Sequence, residues 1–373
     1  MNRLRCSTAS DGPRPLRSAR AGLAGVRAAL IAALLALTPM MRAQEPPSVI
    51  VDTDMLTDCD DAGALAVLHA LADAGEVRIL GIVLNGIDTH GKHGAVVSAI
   101  DTYYRRGGLP IGVSRRTAAT SPSKASSYSE AVFAEFPHDG LLDRERPDAV
   151  GVYRRLLAAA PDHQVTIISI GFLTNLDDLL NSPGDASDAR DGLALVRAKV
   201  AGLSVMGGTY PAGKAYNFSF GGAGAAAQAV IAAWPDATAP VVFSGFELGG
   251  AIITGTHYQQ APASPMRRCY ELAYDALRKG RPSWDPTAVL QGVRGLSHGG
   301  VTYWTLHIGG SNQLDAQGGN AWSGEPQRRH GYLVPALEPR ALAALLDELM
   351  TRPPGAVAAP PPPPPPPTPP APR

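Results

Sequence analysis

"VIVDTDMLTDCDDAGAL", Val49 to Leu65, sets five carboxylates (Asp52, Asp54, Asp58, Asp60 and Asp61) directly behind an apolar, β-branched run. The run reads as a buried strand and "DDAGALAVLHALADAG" as the helix that follows it, so the acids fall at the carboxyl end of a strand. Repelling charges there destabilise a fold unless something positive gathers them. Asp60 and Asp61 open the helix, where carboxylates favour the positive end of the dipole, and capping explains them well. It does not explain Asp52, Asp54 and Asp58. A hard divalent cation such as Ca²⁺ does, because it collects several carboxylate and carbonyl oxygens at once.

Two other readings of the acids fail. Counted from Asp52, an EF-hand loop needs glycine at its sixth position and glutamate at its twelfth, where this chain has Thr57 and Gly63. An aspartyl phosphatase nucleophile also fits Asp-x-Asp after a strand, but no lysine or second acidic motif follows in matching context.

Outward from this stretch, short apolar runs alternate with helical patterns. "SVIV", "VRILGIVL", "PIGV", "VTIISI", "GLSVM" and "PVVFS" read as strands; "HGAVVSAIDTYYRRG", "AVGVYRRLLAAAP", "TNLDDLL" and "AGAAAQAVIAAWP" read as helices. That order predicts an α/β fold: a Rossmann-like, mostly parallel mixed sheet with helices on both faces. Such sheets bind ligands beyond the carboxyl ends of their strands. The residues there include Asp52, Asp54, Asn85, Gly171, Gly207, Gly208, Gly245 and Glu247.

The two ends stand apart. Met1 to Ala43 has scattered arginines, then "AALIAALLALTPMM", then "RAQ", the pattern of a cleaved secretory signal; a membrane anchor would need roughly 20 apolar residues. The expectation is an exported protein, periplasmic or secreted, with one domain over 44–350. Residues 351–373 form a proline-rich tail that lacks the donors for helix or sheet. Seven of 33 basic and one of 33 acidic residues lie in Met1–Ala43, which leaves the remainder at −6. No basic stripe remains, so nucleic acid is a poor partner. Cys59 and Cys269, far apart in sequence, do not make a disulfide framework.

With these pieces in order, the chain resembles the inosine–uridine-preferring nucleoside hydrolase family. "VDTDMLTDCDDAGAL" is similar to its N-terminal signature in relatives with longer Asp spacing; "GIVLN", "ISIGFLTNL", "LSVMGG", "AYNF" and "WDPTAVL" follow in the family's order. The resemblance implies one Ca²⁺ held by Asp54, Asp61, the carbonyl of Ile170 and Asp285, with Asp54 also the general base on a bound water. It implies a small ribosyl substrate, with Asp60 and Asn85 at ribose hydroxyls and Asn217 near the 5′ side. The family is commonly oligomeric, which makes a homo-oligomer an expectation.

Two departures bear on the leaving group. Ala215 stands where the family often has a glutamate, and Trp284 where it often has a histidine able to protonate a departing base. Tryptophan gives up no proton near neutral pH but can stack on a base or wall a pocket. Glu247, just past a strand, either replaces the missing carboxylate at the substrate or is a surface-turn glutamate. Asp52 and Asp58 are expected behind the ligands, orienting them. The histidines of "THGKHG" and His138 read as loop residues. "GGAGAAA" has the form of a dinucleotide fingerprint but follows no convincing strand. Three functions remain: a Ca²⁺-dependent hydrolase of ribosyl N-glycosidic bonds, nucleosides above all; an exported binder of nucleosides or sugars with little turnover; or a hydrolase of some other glycoside or ribosyl ester.

Overall fold

The computed structural model describes residues 46–86, 89–116, 126–324 and 328–356. The expected signal segment Met1–Ala43 and most of the proline-rich tail lie outside the described residues. Among those described, no helix is long and apolar enough to cross a membrane.

Eight strands make the central sheet: β1 (Ser48–Thr53), β2 (Arg78–Leu84), β3 (Ile111–Val113), β4 (Val165–Ser169), β5 (Val200–Met206), β6 (Val241–Ser244), β7 (Trp304–His307) and β8 (His330–Pro335). Their order is β7-β8-β6-β5-β4-β1-β2-β3. All neighbours pair parallel except β7 with β8. The mostly parallel α/β sheet is therefore as expected, and each of the six strands read from the sequence is present.

Both faces are covered, which is why β1 is apolar at successive positions instead of alternate ones. Val49 and Val51 enter the core under helices Asp60–Asp73, Trp284–Arg294 and Pro339–Thr351, while Ile50 enters the opposite core with Tyr153, Leu176 and Val230. Helix Asp60–Asp73 is buried from Asp60 to Leu71 because it is apolar nearly all round.

The connection leaves β1 on one side to β2 and β3, then crosses to β4 on the other. That reversal of direction opens a crevice at the carboxyl ends of β1 and β4, where Asp54 and Ile170 lie. The helix Gly224–Ala233 follows a short 3₁₀ turn, Phe220–Gly222, not a strand, so the glycine-rich "GGAGAAA" has no dinucleotide context.

Candidate active site

The period-two geometry of β1 divides its aspartates. Asp52 shares the face of Ile50 and is fully buried, taking hydrogen bonds from Asn85 Nδ2 (2.8 Å), Asn175 Nδ2 (2.9 Å) and the Tyr153 hydroxyl (3.0 Å). Thr53 points the other way and donates through Oγ1 to Asp61. Past the strand, Met55 takes a left-handed backbone (φ 50°), which brings its amide to Asp61 Oδ1 at 3.2 Å. A Cβ at Gly171 would lie 2.6 Å from Asn85 Oδ1 and 2.7 Å from Asp54 N, so the loop after β4 can approach Asp54 closely only as glycine.

Two helix N-termini meet over this edge. Asp60 and Asp61 stand in the first turn of Asp60–Asp73, and Asp285 in the first turn of Trp284–Arg294. Neither Asp60 nor Asp61 makes a cap to its own helix: Asp60 Oδ2 accepts from Asp285 N at 3.1 Å, and Asp61 serves Thr53 and Met55. One carboxylate oxygen from each of Asp60, Asp61 and Asp285 lies within 4.8 Å of the others, and all three residues are at most 5% exposed.

Asp60 and Asp285 line the floor of a cavity of about 220 Å³, together with Asp54, Asp58, Ile170 and Asn217; Asp61 is not in the lining and meets the cavity through its convergence with those two. Its upper wall is Leu56, Met206, Tyr216, Phe246, Tyr274, Trp284 and Arg281. Trp284 stacks on Phe246 (centroids 5.0 Å, 18° between planes) and donates its indole N–H to the Phe246 carbonyl at 2.9 Å. Asn217 Nδ2 donates to the Met206 carbonyl at 3.1 Å.

Burial dominates the electrostatics. It pushes the Asp52 carboxyl up to about 7 and Asp61 up to about 6, the latter against the hydrogen bonds from Thr53 and Met55. Asp54, Asp60 and Asp285 are held well above the ordinary carboxyl range, first by burial and next by a neighbouring carboxylate: Asp61 for Asp54, Asp58 for Asp60, Asp60 for Asp285. A cluster of buried, hard oxygen donors with no basic side chain among them fits a divalent cation of the Ca²⁺ or Mg²⁺ type. Arg281, the one basic residue among the described residues of the cavity wall, is paired to Asp58 and not to the Asp60, Asp61 and Asp285 cluster.

A stability prediction follows with a definite sign. Asp52 and Asp61 are raised from an ordinary 3.8, so above about pH 4 the folded state holds protons that the unfolded chain has released. Stability of the cation-free protein is therefore expected to fall as pH rises from about 4 to about 8, where a chain with depressed carboxyls would gain. Denaturant titrations at pH 5 and pH 8 check this, and millimolar Ca²⁺ should restore stability at pH 8. A cation-free protein more stable at pH 8 than at pH 5 would contradict it.

Several sequence expectations change place. Asn85 is fully buried behind the cavity, with its amide nitrogen on Asp52 and its carbonyl oxygen accepting from Phe172 N at 2.9 Å; it braces the loop after β4 instead of lining the wall. Asp58 orients no other acid but pairs with Arg281. Glu247 is not in the cavity. Helix Phe246–Gly250 turns Phe246 toward the cavity and Glu247 away, where its Oε2 accepts from Tyr210 N at 3.1 Å beside a separate groove of Tyr210, Tyr332 and Pro335. The glutamate therefore does not replace the carboxylate missing at Ala215. Asp54 lines the cavity as expected, but the converging triad contains Asp60 in its stead. His90, His93 and His138 do not line the cavity, and Cys59 and Cys269 are buried free thiols.

Sequence reasoning missed Arg281, Tyr274, Tyr216 and Phe246 in the wall, and Tyr153 and Asn175 behind Asp52. Asn175 lies in the quoted "ISIGFLTNL" and Tyr216 in the quoted "AYNF", so their motifs carried a signal; Arg281, Tyr274, Phe246 and Tyr153 lie in no quoted family motif.

At the level of sequence, no family model and no curated protein matches this chain. Among solved structures it is similar to a purine-preferring ribonucleoside hydrolase from Gardnerella vaginalis, at 17% identity and a TM-score of 0.59, over 81% of this chain and 98% of that one. It is also similar to a plant nucleoside hydrolase, at 16% identity and a TM-score of 0.57, over 83% of this chain and all of that one. A third is the type III effector protein XopQ, solved with adenosine diphosphate ribose, at 17% identity and a TM-score of 0.56, over 87% and 96% of the two chains. The chain has the nucleoside hydrolase fold.

Proposed function

We propose that this chain hydrolyses the N-glycosidic bond of ribonucleosides with a divalent cation, Ca²⁺, at the acidic floor of the cavity. The convergence of Asp60, Asp61 and Asp285 beside Asp54, at the strand edge where this architecture binds ligands, carries the reading. Relatives in structure that are named as nucleoside hydrolases support the substrate class.

Asp61 and Asp285 would hold the cation, with Asp54, Asp60 and the Ile170 carbonyl completing the oxygen donors. When bound, it supplies orientation of the sugar diol and acidification of the attacking water. Asp54 accepts the proton of that water. Cleavage develops positive charge at the sugar, and a floor of carboxylates stabilises that state more than the ground state. Asn217 is fixed by its bond to Met206, which leaves its carbonyl oxygen to accept from a sugar hydroxyl. Trp284, Phe246 and Tyr216 offer flat faces to a base.

Incubating the protein with a nucleoside panel should release free base and reducing sugar in equal amounts, with loss on chelation and recovery on adding Ca²⁺. Bound nucleoside without product would instead favour the binding protein that Ala215 and Trp284 suggest. Release of sugar from non-nucleoside ribosides alone would move the substrate class. We also infer export; the mature protein should then begin near Gln44, and N-terminal sequencing that finds Met1 intact would refute it.

A further inference from the structure

Breaking the C1′–N bond leaves an electron pair on the base, and the cavity wall holds few groups to receive it. Among the described residues no histidine lines it. The Trp284 N–H is committed to the Phe246 carbonyl, the Asn217 amide to Met206, and the Tyr274 hydroxyl to Thr57 Oγ1 at 3.3 Å. Tyr216 keeps a free face, but burial and then the Asp54 charge raise its phenol above the ordinary range, which makes it a weaker acid.

Arg281 is different. It sits in a two-residue strand, Arg281–Pro282, paired with Ile253–Thr254. Its Nε and Nη2 donate to Asp58 at 2.9 Å and 2.5 Å, and its guanidinium lies 4.2 Å from the Tyr274 ring centroid and 5.1 Å from that of Trp284. The carboxylate and two rings fix its plane, and Nη1 has no hydrogen bond among the described residues.

Resting on the nucleoside hydrolase reading, we propose that Arg281 is a catalytic residue for the leaving group: held by Asp58, Tyr274 and Trp284, it donates through Nη1 to an acceptor on the departing base. A guanidinium does not lose its proton near neutral pH, so it acts by charge and hydrogen bonding, not as an acid. Water oxygen bonds to C1′, its proton goes to Asp54, the C1′–N pair goes to the base, and solvent later protonates the base. The substrates selected are ribosides of heterocycles with a ring nitrogen or carbonyl acceptor close to the glycosidic nitrogen, able to spread that pair toward Arg281.

The test compares inosine with 4-nitrophenyl ribofuranoside, whose phenolate leaves as an anion stabilised by its own nitro group. In the full-length protein with saturating Ca²⁺, Arg281→Met is expected to lower kcat/KM on inosine by about 100-fold or more, and by about 10-fold more than on the nitrophenyl riboside. Arg281→Lys should recover part of the inosine loss, and Asp58→Asn, which frees the guanidinium from its anchor, should show the same selectivity at smaller size. Equal losses on the two substrates, or a loss below threefold on inosine, would overturn the assignment while leaving the hydrolase reading intact. A wild-type protein that cleaves neither substrate overturns the hydrolase reading and this assignment with it.

Discussion

Asp54→Asn is expected to lower kcat by about 10²–10⁴-fold at saturating Ca²⁺, the usual worth of a positioned general base. The substitution keeps the shape of the side chain, and its structural duty is small: one long contact, Leu56 N to Asp54 Oδ1 at 3.3 Å. Its carboxylate lines the cavity outside the triad of Asp60, Asp61 and Asp285, so cation affinity should weaken less than turnover does. Steady-state kinetics across a Ca²⁺ titration separates the two effects. Activity within tenfold of the wild type would remove Asp54 as the base.

If the proposed cation site is right, Asp285→Ala is expected to abolish both turnover and any stabilisation by added Ca²⁺. A ligand present at 100 times its dissociation constant stabilises the folded state by about 2.7 kcal/mol, and that increment should disappear. Asp285 contributes its backbone amide to Asp60, which alanine retains, while its carboxyl is raised first by burial and then by the charges of Asp60, Asp61, Asp54 and Asp58. Removing it relieves repulsion, so the cation-free variant at pH 8 should be at least as stable as the cation-free wild type. A thermal melt with and without Ca²⁺ reads both quantities. A variant that is destabilised without the cation yet still gains from it would show that Asp285 serves packing and not the ion.

The acidic floor and the aromatic wall differ in how far they were legible. Asp54, Asp60 and Asp61 follow an apolar strand and open a helix, so local pattern alone puts them on the binding edge. Asp285 lies more than 220 residues away, and only motif order tied it to them; the hydrogen bond from its backbone N–H to the Asp60 carboxylate now supplies the physical link. Glu247 shows the limit of a strand-end rule: it stands beyond β6 as expected, but one residue of helical rotation gives the cavity to Phe246. Asn85 is similar, since a buried Asp52 and the Phe172 amide satisfy it more fully than a place on the wall would.

Period and burial are local properties, so the layers could be read from the chain alone: β-branched runs buried on both faces, helices closed by Gly or Pro, and carboxylates at one strand end. The sequence did not mark β7 and β8, whose "WTLH" and "HGYLVP" carry polar residues that the sheet's outer end tolerates. Which side chains meet follows from the folded packing alone. Arg281 reaches Asp58 across more than 220 residues, and Tyr153 reaches Asp52 across about 100. Such meetings depend on strand order and on how helices cross the sheet, and these are set by the packing of the whole core and not by any window of the chain.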